Sequence, residues 1–194
     1  MSPANNFSIR DASLARDKGF IVSVFDGSLP YMVSIGSQAQ WGSTPFSQRP
    51  GWIDETQQQI QDSELSSISN TTDALRVLIL EVEVTKQEFH DLHRENIHSR
   101  TGHGGFYYIA AGFAFVRGHW LPKYLPASVI AQVDQAHLNE TLYVEVMVSD
   151  SGMRDLFPGI GAALLREVRI WGYSRGKTAL YLDGWSGNER KLIR

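Results

Sequence analysis

The chain contains no cysteine. That excludes disulfides, thiolate nucleophiles, cysteine-linked acyl-enzymes and every zinc site that needs a cysteine ligand. It fits a reducing compartment, and a cytoplasmic location is expected. Long apolar runs are also missing. No stretch approaches the ~20 residues a membrane helix requires, and the opening MSPANNFSIR lacks the apolar core of a signal peptide. A membrane is therefore not an expected partner. Nor is there an excess of charge of one sign. Eighteen Lys and Arg against 21 Asp and Glu give a net charge of −3, and the basic residues are dispersed, so nucleic acid is not an expected partner either. Internal repeats are absent, and 194 residues with 42% hydrophobic content suit one core. A single domain spanning 1–194 is expected.

What is present lies mostly in residues 142–189, LYVEVMVSDSGMRDLFPGIGAALLREVRIWGYSRGKTALYLDGWSGNE. Leu142, Val144, Val146 and Val148 alternate with Tyr143, Glu145 and Met147. Both sets are largely apolar, as in a central strand covered on two faces. A polar loop follows and delivers Pro158, Gly159, Ile160 and Gly161 into a helix. Glycines at this position let backbone amides approach an anion, and the free N–H groups of the helix start favour its charge. Ile160, Ala163, Leu164, Val168 and Trp171 recur at helical spacing as one buried stripe, with Arg166, Arg169 and Arg175 off it. Thr178–Asp183 reads as another buried strand, which makes the unit βαβ with parallel strands.

The remaining chain alternates. Phe7–Arg10 reads as a first strand, with capping residues at Asp11–Ser13. Residues 14–40 read as one or two helices, broken near Asp26–Ser28 and again at Gly36. A polar helix starts near Pro50, with Trp52, Ile53 and Ile60 as its contacts, and residues 63–74 read as a surface loop. Strands are expected at Arg76–Val84 and Gly105–Val116. Between them, 85–104 reads as a hydrophilic insertion bearing His90, His93, His98 and His103. Two of these could share a helix face, yet nothing completes a ligand set, so a mobile loop is expected and no metal site. A short helix is expected over roughly 127–137.

Two nucleotide cradles fit poorly. A dinucleotide fold would use Gly159 and Gly161 with Asp183 as the ribose acid, but the third glycine is Leu164 and the turn does not follow its strand directly. A Walker loop needs a lysine after the glycines, and none is there. The order YVEVMVSD, PGIGAALL, LYLDGWSGNE instead resembles the GNAT acyltransferase superfamily, whose signature is a strand, a pyrophosphate loop ending in GxG, a helix, a strand and an asparagine. FSIRDAS at the start is similar to that family's opening strand, and LDGWSGNERKLIR to its small-molecule N-acetyltransferases.

The resemblance implies an α/β fold: a mixed, largely antiparallel sheet flanked by helices, with a βαβ acyl-CoA-binding unit near the C-terminus (142–189). It implies acetyl-CoA as co-substrate, with pantetheine along Val146, Met147 and Val148 and pyrophosphate among Phe157, Gly159, Ile160, Gly161 and Ala162. Pro158 has no N–H and shapes the loop only. Asn188 would contact the cofactor or cap the last helix. Where the family pattern places Arg or Gln before the first glycine this chain has Leu156, and Arg154 is the substitute cation. The implied function is acetyl transfer to a primary amine of a small molecule in a ternary complex.

Glu145, within an apolar strand, is the candidate base because desolvation would raise its pKa; read plainly, it is a solvated or ion-paired strand residue. Glu81 and Glu83 are secondary candidates. Trp41, Phe46 and Trp52 border the implied acceptor pocket, and read plainly they are core. The family pattern continues past this chain's Arg194 with a tyrosine general acid and two closing strands. A CoA-binding domain that is catalytically incomplete is therefore the alternative, and a nucleotide-dependent oxidoreductase a weaker one. An open sheet edge makes a homodimer an expected assembly.

Overall fold

The computed structural model describes residues 6–68, 74–92, 97–132 and 135–184. Among these residues one six-stranded sheet organises the fold: β1 (Asn6–Asp11), β2 (Leu75–Thr85), β3 (Ser99–Thr101), β4 (Phe106–Gly118), β5 (Thr141–Ser149) and β6 (Ala179–Leu182). The order is β1-β2-β4-β5-β6, with β3 on β4 beyond the end of β5. All pairings are antiparallel except β5 with β6. This mixed, largely antiparallel sheet with one parallel pair is the architecture the GNAT resemblance implies. It excludes the dinucleotide-binding alternative, which requires a doubly wound parallel sheet.

Helix α1 (Leu14–Ser34) lies on one face together with α2 (Gln38–Trp41) and α3 (Trp52–Ile68). The expected break at Asp26–Ser28 does not occur. Phe20, Ile21, Val24, Phe25, Leu29 and Met32 form an unbroken buried stripe across it, and burial of that stripe outweighs the helix cost of Gly27 and Pro30. Nor is 63–68 a loop. Helix α3 continues to Ile68, and the buried Ser63 hydroxyl accepts the Val77 N–H at 2.8 Å.

The described part of the insertion has regular structure. Helix α4 (Lys86–Asp91) begins with a reciprocal capping box between Thr85 and Glu88, and β3 pairs with β4. The expected helix over 127–137 is instead one turn, α5 (Ala127–Ile130), and a 3-10 turn at Gln135–Glu140. On the sheet's other face lies α6 (Ile160–Tyr173), whose buried Ile160, Ala163, Leu164, Val168 and Trp171 are the stripe expected from sequence. No helix among the described residues is long and apolar enough to cross a membrane.

A buried ionic network fixes the end of the sheet away from β6. Asp17, fully buried, accepts two bonds from Arg10 (2.7 and 2.8 Å), one from the Ser13 amide and one from His98 Nε2 at 2.9 Å. Burial alone would raise its pKa, but the Arg10, His98 and Ser13 bonds prevail and hold the carboxyl well below the usual range. Glu81 is bound by Arg10 at 2.6 Å and Arg100 at 2.6 Å. Neither His98, stacked on Phe20 at 4.9 Å, nor Glu81 lines the cleft described below.

Candidate active site

The site arises from one extra residue in β5. Along β4 the partners of β5 run Gly112↔Ser149 to Phe115↔Val146, then resume at Val116↔Val144. Glu145 has no opposite number and is a β-bulge. The alternation expected across 142–148 is therefore broken. Leu142 and Val144 belong to the core beneath α6, whereas Val146 and Val148 pack towards α1. Pairing with β6 also ends here, at Val144↔Leu182. Beyond it the strands diverge, and β5 from Glu145 to Ser149 has no partner strand on that side among the described residues.

A cleft of about 520 Å³ opens at this fork. One bank is Val144–Ser149 and the other is Leu182, Asp183 and Gly184; Tyr124, Leu165 of α6, Arg154, and Ser28, Tyr31, Met32, Gln40 and Trp41 complete it. Val146, Met147 and Val148 thus lie together along the open edge.

The loop after β5 leads from this edge to the start of α6. Ser151 Oγ donates to the Gly27 carbonyl at 3.0 Å, and the Asp150 side chain accepts the Gly152 N–H at 2.8 Å. Met153 and Phe157 turn their side chains into the core, so Phe157 faces the loop through its backbone only, and the same holds for Ile160. Gly159 has φ 87°, a left-handed conformation that favours glycine. A Cβ on Gly161 would meet nothing within 4 Å. The N–H groups of Ile160, Gly161 and Ala162 have no hydrogen-bond partner among the described residues; the first intrahelical bond here is Ala163 to Gly159 at 2.9 Å. Arg154 lies 3.9 Å above the Tyr31 ring and donates to Ser149 Oγ at 3.2 Å, with no carboxylate against it among the described residues. Unfilled space, unpaired amides and an unneutralised cation form a seat whose chemistry fits a diphosphate.

At the other end, Glu145 is ion-paired. Its Oε2 accepts Arg117 Nε at 2.6 Å, with 28% of the side chain exposed. The expectation of a desolvated carboxylate gives way to a half-buried one held by a guanidinium, since Arg117 stands opposite Tyr143, two residues before Glu145 on the same strand. Beside it, Tyr143 donates to Asp183 Oδ1, and Tyr124 donates to Asp183 Oδ2 at 3.0 Å. Trp120 packs edge-on to Tyr143 at 5.2 Å. Burial first, then the bonds to Asp183 and Tyr124, raise the Tyr143 phenol above its ordinary value. Burial and Asp183 raise Tyr124 as well, against a lowering bond from Tyr143. Both remain protonated donors at neutral pH.

Of the three aromatic residues expected at the acceptor pocket, only Trp41 lines the cleft. Phe46 and Trp52 do not. They pack with Phe25 at 4.7 and 5.0 Å in the core under α1, since a large apolar ring gains more from burial than from a wet wall. Asn188 and His93 lie outside the described residues. Sequence reasoning missed Arg117, Tyr124 and Tyr143. Asp183 was noted only for the dinucleotide alternative.

No family model matches this chain, and no curated protein matches it. Several solved structures are similar. An N-acetyltransferase from Staphylococcus aureus Mu50 shares 16% identity over 96% of this chain and 78% of its own, with a TM-score of 0.49. The aminoglycoside N-acetyltransferase AAC(6')-Iy in complex with CoA shares 14% over 99% and 86%, with a TM-score of 0.47. A transcriptional regulator from Bacillus halodurans C-125 shares 12% over 96% and 87%, with a TM-score of 0.47. Likeness at this level carries no functional conclusion, and the cleft's own geometry has to supply one.

Proposed function

We propose that the chain is an N-acetyltransferase that moves an acetyl group from acetyl-CoA to a primary amine of a small molecule by direct attack in a ternary complex. One observation carries this reading: the unpaired edge of β5, from the bulge at Glu145 to Ser149, lines the cleft, and the loop that follows it leads to unpaired amides at the start of α6. An extended amide-bearing chain can pair with Val146, Met147 and Val148 as a strand would. Its diphosphate then reaches Gly159, Ile160, Gly161 and Ala162, with Arg154 beside it.

The reacting carbonyl falls at the fork. A cleft-facing backbone N–H near the bulge stabilises its oxygen, and Glu145 takes the proton of the attacking amine, directly or through water. The leaving thiolate is protonated as CoA departs. A second reading, CoA binding without turnover, is favoured by the Glu145–Arg117 ion pair, which occupies the base.

Calorimetric titration with acetyl-CoA, beside a Gly161→Trp variant, tests the first step. The indole would fill the open space above Gly161. Saturable binding by the wild type and its loss in the variant are expected. A folded wild type that does not bind acetyl-CoA refutes both readings, while binding with no acetylated product from an amine panel selects the second.

A further inference from the structure

The fork holds two carboxylates in unlike circumstances. Val144↔Leu182 is the last rung of the parallel pair, so Glu145 and Asp183 are the next residues on adjacent strands, one step past a rung whose Cα atoms stand roughly 5 Å apart. Both line the cleft. Glu145 is neutralised by Arg117. Asp183 has no lysine or arginine against it among the described residues; its partners are the hydroxyls of Tyr124 and Tyr143. Those phenols orient the carboxylate but do not cancel its charge. A carboxylate offers about four lone-pair sites, so two phenols leave roughly half of that capacity for whatever enters the cleft.

A ligand that fills the cleft strips water from Asp183. An anion desolvated without a counter-charge is costly, and a cation placed against it removes most of that cost. The attacking nitrogen cannot be that cation, because it must be neutral to attack. A second nitrogen that stays charged meets the need, and the rings of Tyr124 and Trp41 on the same walls suit an ammonium as well. Resting on the acetyl-transfer reading above, we propose that the acceptor is a di- or polyamine, with one nitrogen presented neutral at Glu145 and a second, as ammonium, held by Asp183. In the transfer the N–C bond forms as the C–S bond breaks, and the proton lost by nitrogen reaches the CoA sulfur through Glu145 and water.

The test uses two probes of equal length, 1,4-diaminobutane and 4-aminobutan-1-ol, with wild type, Asp183→Asn and Tyr124→Phe. Wild type should use the diamine with kcat/KM about tenfold or more above the amino alcohol, the range of one charge-assisted contact. Asp183→Asn should raise KM for the diamine by about ten- to a hundredfold and affect kcat/KM for the amino alcohol far less. Tyr124→Phe should fall between. It also keeps the test open if Asp183→Asn does not fold, which circular dichroism checks. Equal use of both probes by wild type, or a loss in Asp183→Asn that is the same for both, overturns the assignment. Calorimetric titration with the diamine alone separates it from the reading it rests on. Saturable diamine binding that Asp183→Asn abolishes, without acetylated product, upholds the cation seat while the transfer reading fails. Acetyl-CoA binding without any diamine binding overturns the seat.

Discussion

The first half of β5, Thr141–Val144, is paired along its whole length with β6 and from Leu142 with β4 as well, and all four residues are buried. The second half, Glu145–Ser149, is bonded only to β4, and Glu145, Val146 and Met147 are half-buried. In composition the halves hardly differ. What divides them is a single unopposed residue, after which the strand changes face and loses its parallel neighbour. An open edge inside a sheet is ordinarily a liability. Here it lines a cleft whose other walls include Tyr31 and Met32 of α1 and Tyr124. The candidate site is a property of strand pairing more than of any unusual residue.

Truncating each half should separate stability from binding, and this is the largest effect expected. Leu142 is 1% exposed beneath α6, and Leu142→Ala should cost about 3 kcal/mol in urea unfolding. Met147, half-buried at the cleft, should cost about 1 kcal/mol on the same change because less apolar area leaves water, yet it should weaken acetyl-CoA binding several-fold. Equal stability losses in the two variants would erase the distinction between the halves.

The open half depends on its one remaining neighbour, and at Gly112 that neighbour has no room for a side chain. A Cβ on Gly112 would stand 2.7 Å from the Val148 carbonyl oxygen and 3.2 Å from the Ser149 Cα. Both are backbone atoms and cannot swing aside. Gly112→Ala should therefore cost about 2 kcal/mol by overpacking. Amide exchange should rise at Val148 and Ser149 while Leu142 and Val144 stay protected. Uniform exchange along β5 would show that the halves do not open separately.

Much of this was legible in the sequence, for physical reasons. The α6 stripe and the βαβ order follow from local periodicity, and the structure has the stripe where it was expected; the left-handed Gly159 is a finding of the structure. The bulge was not legible. LYVEVMV alternates perfectly, and an inserted residue betrays itself only through the partner strand, since β4 has one residue fewer over the same span. The misassigned break in α1 has a similar cause, for Asp26, Gly27 and Ser28 were weighed locally while the buried stripe that overrides them is tertiary. Tyr124 comes from an irregular segment and meets Asp183 across a sequence separation of 59, so nothing local placed it in the cleft. Phe46 and Trp52 were candidates because the turn region they flank borders the pocket the resemblance implies, and that position does not separate a pocket wall from a core.

The smallest effects lie where the open edge passes into α6, and they distinguish glycine needed for conformation from glycine needed for space. Gly159 has φ 87°, so Gly159→Ala should cost about 1 kcal/mol in backbone strain. Gly161 is already helical and nothing lies within 4 Å of an added Cβ. Gly161→Ala should therefore leave stability unchanged or raise it by about 0.5–1 kcal/mol, the helix preference for alanine. Its methyl nonetheless projects into the unfilled space beside the unpaired amides. If a diphosphate sits there, calorimetry should show acetyl-CoA binding weakened about tenfold in a variant at least as stable as wild type. Unchanged binding would mean that the anion is met elsewhere along the loop, by Arg154, and that the cleft's open edge ends before α6 begins.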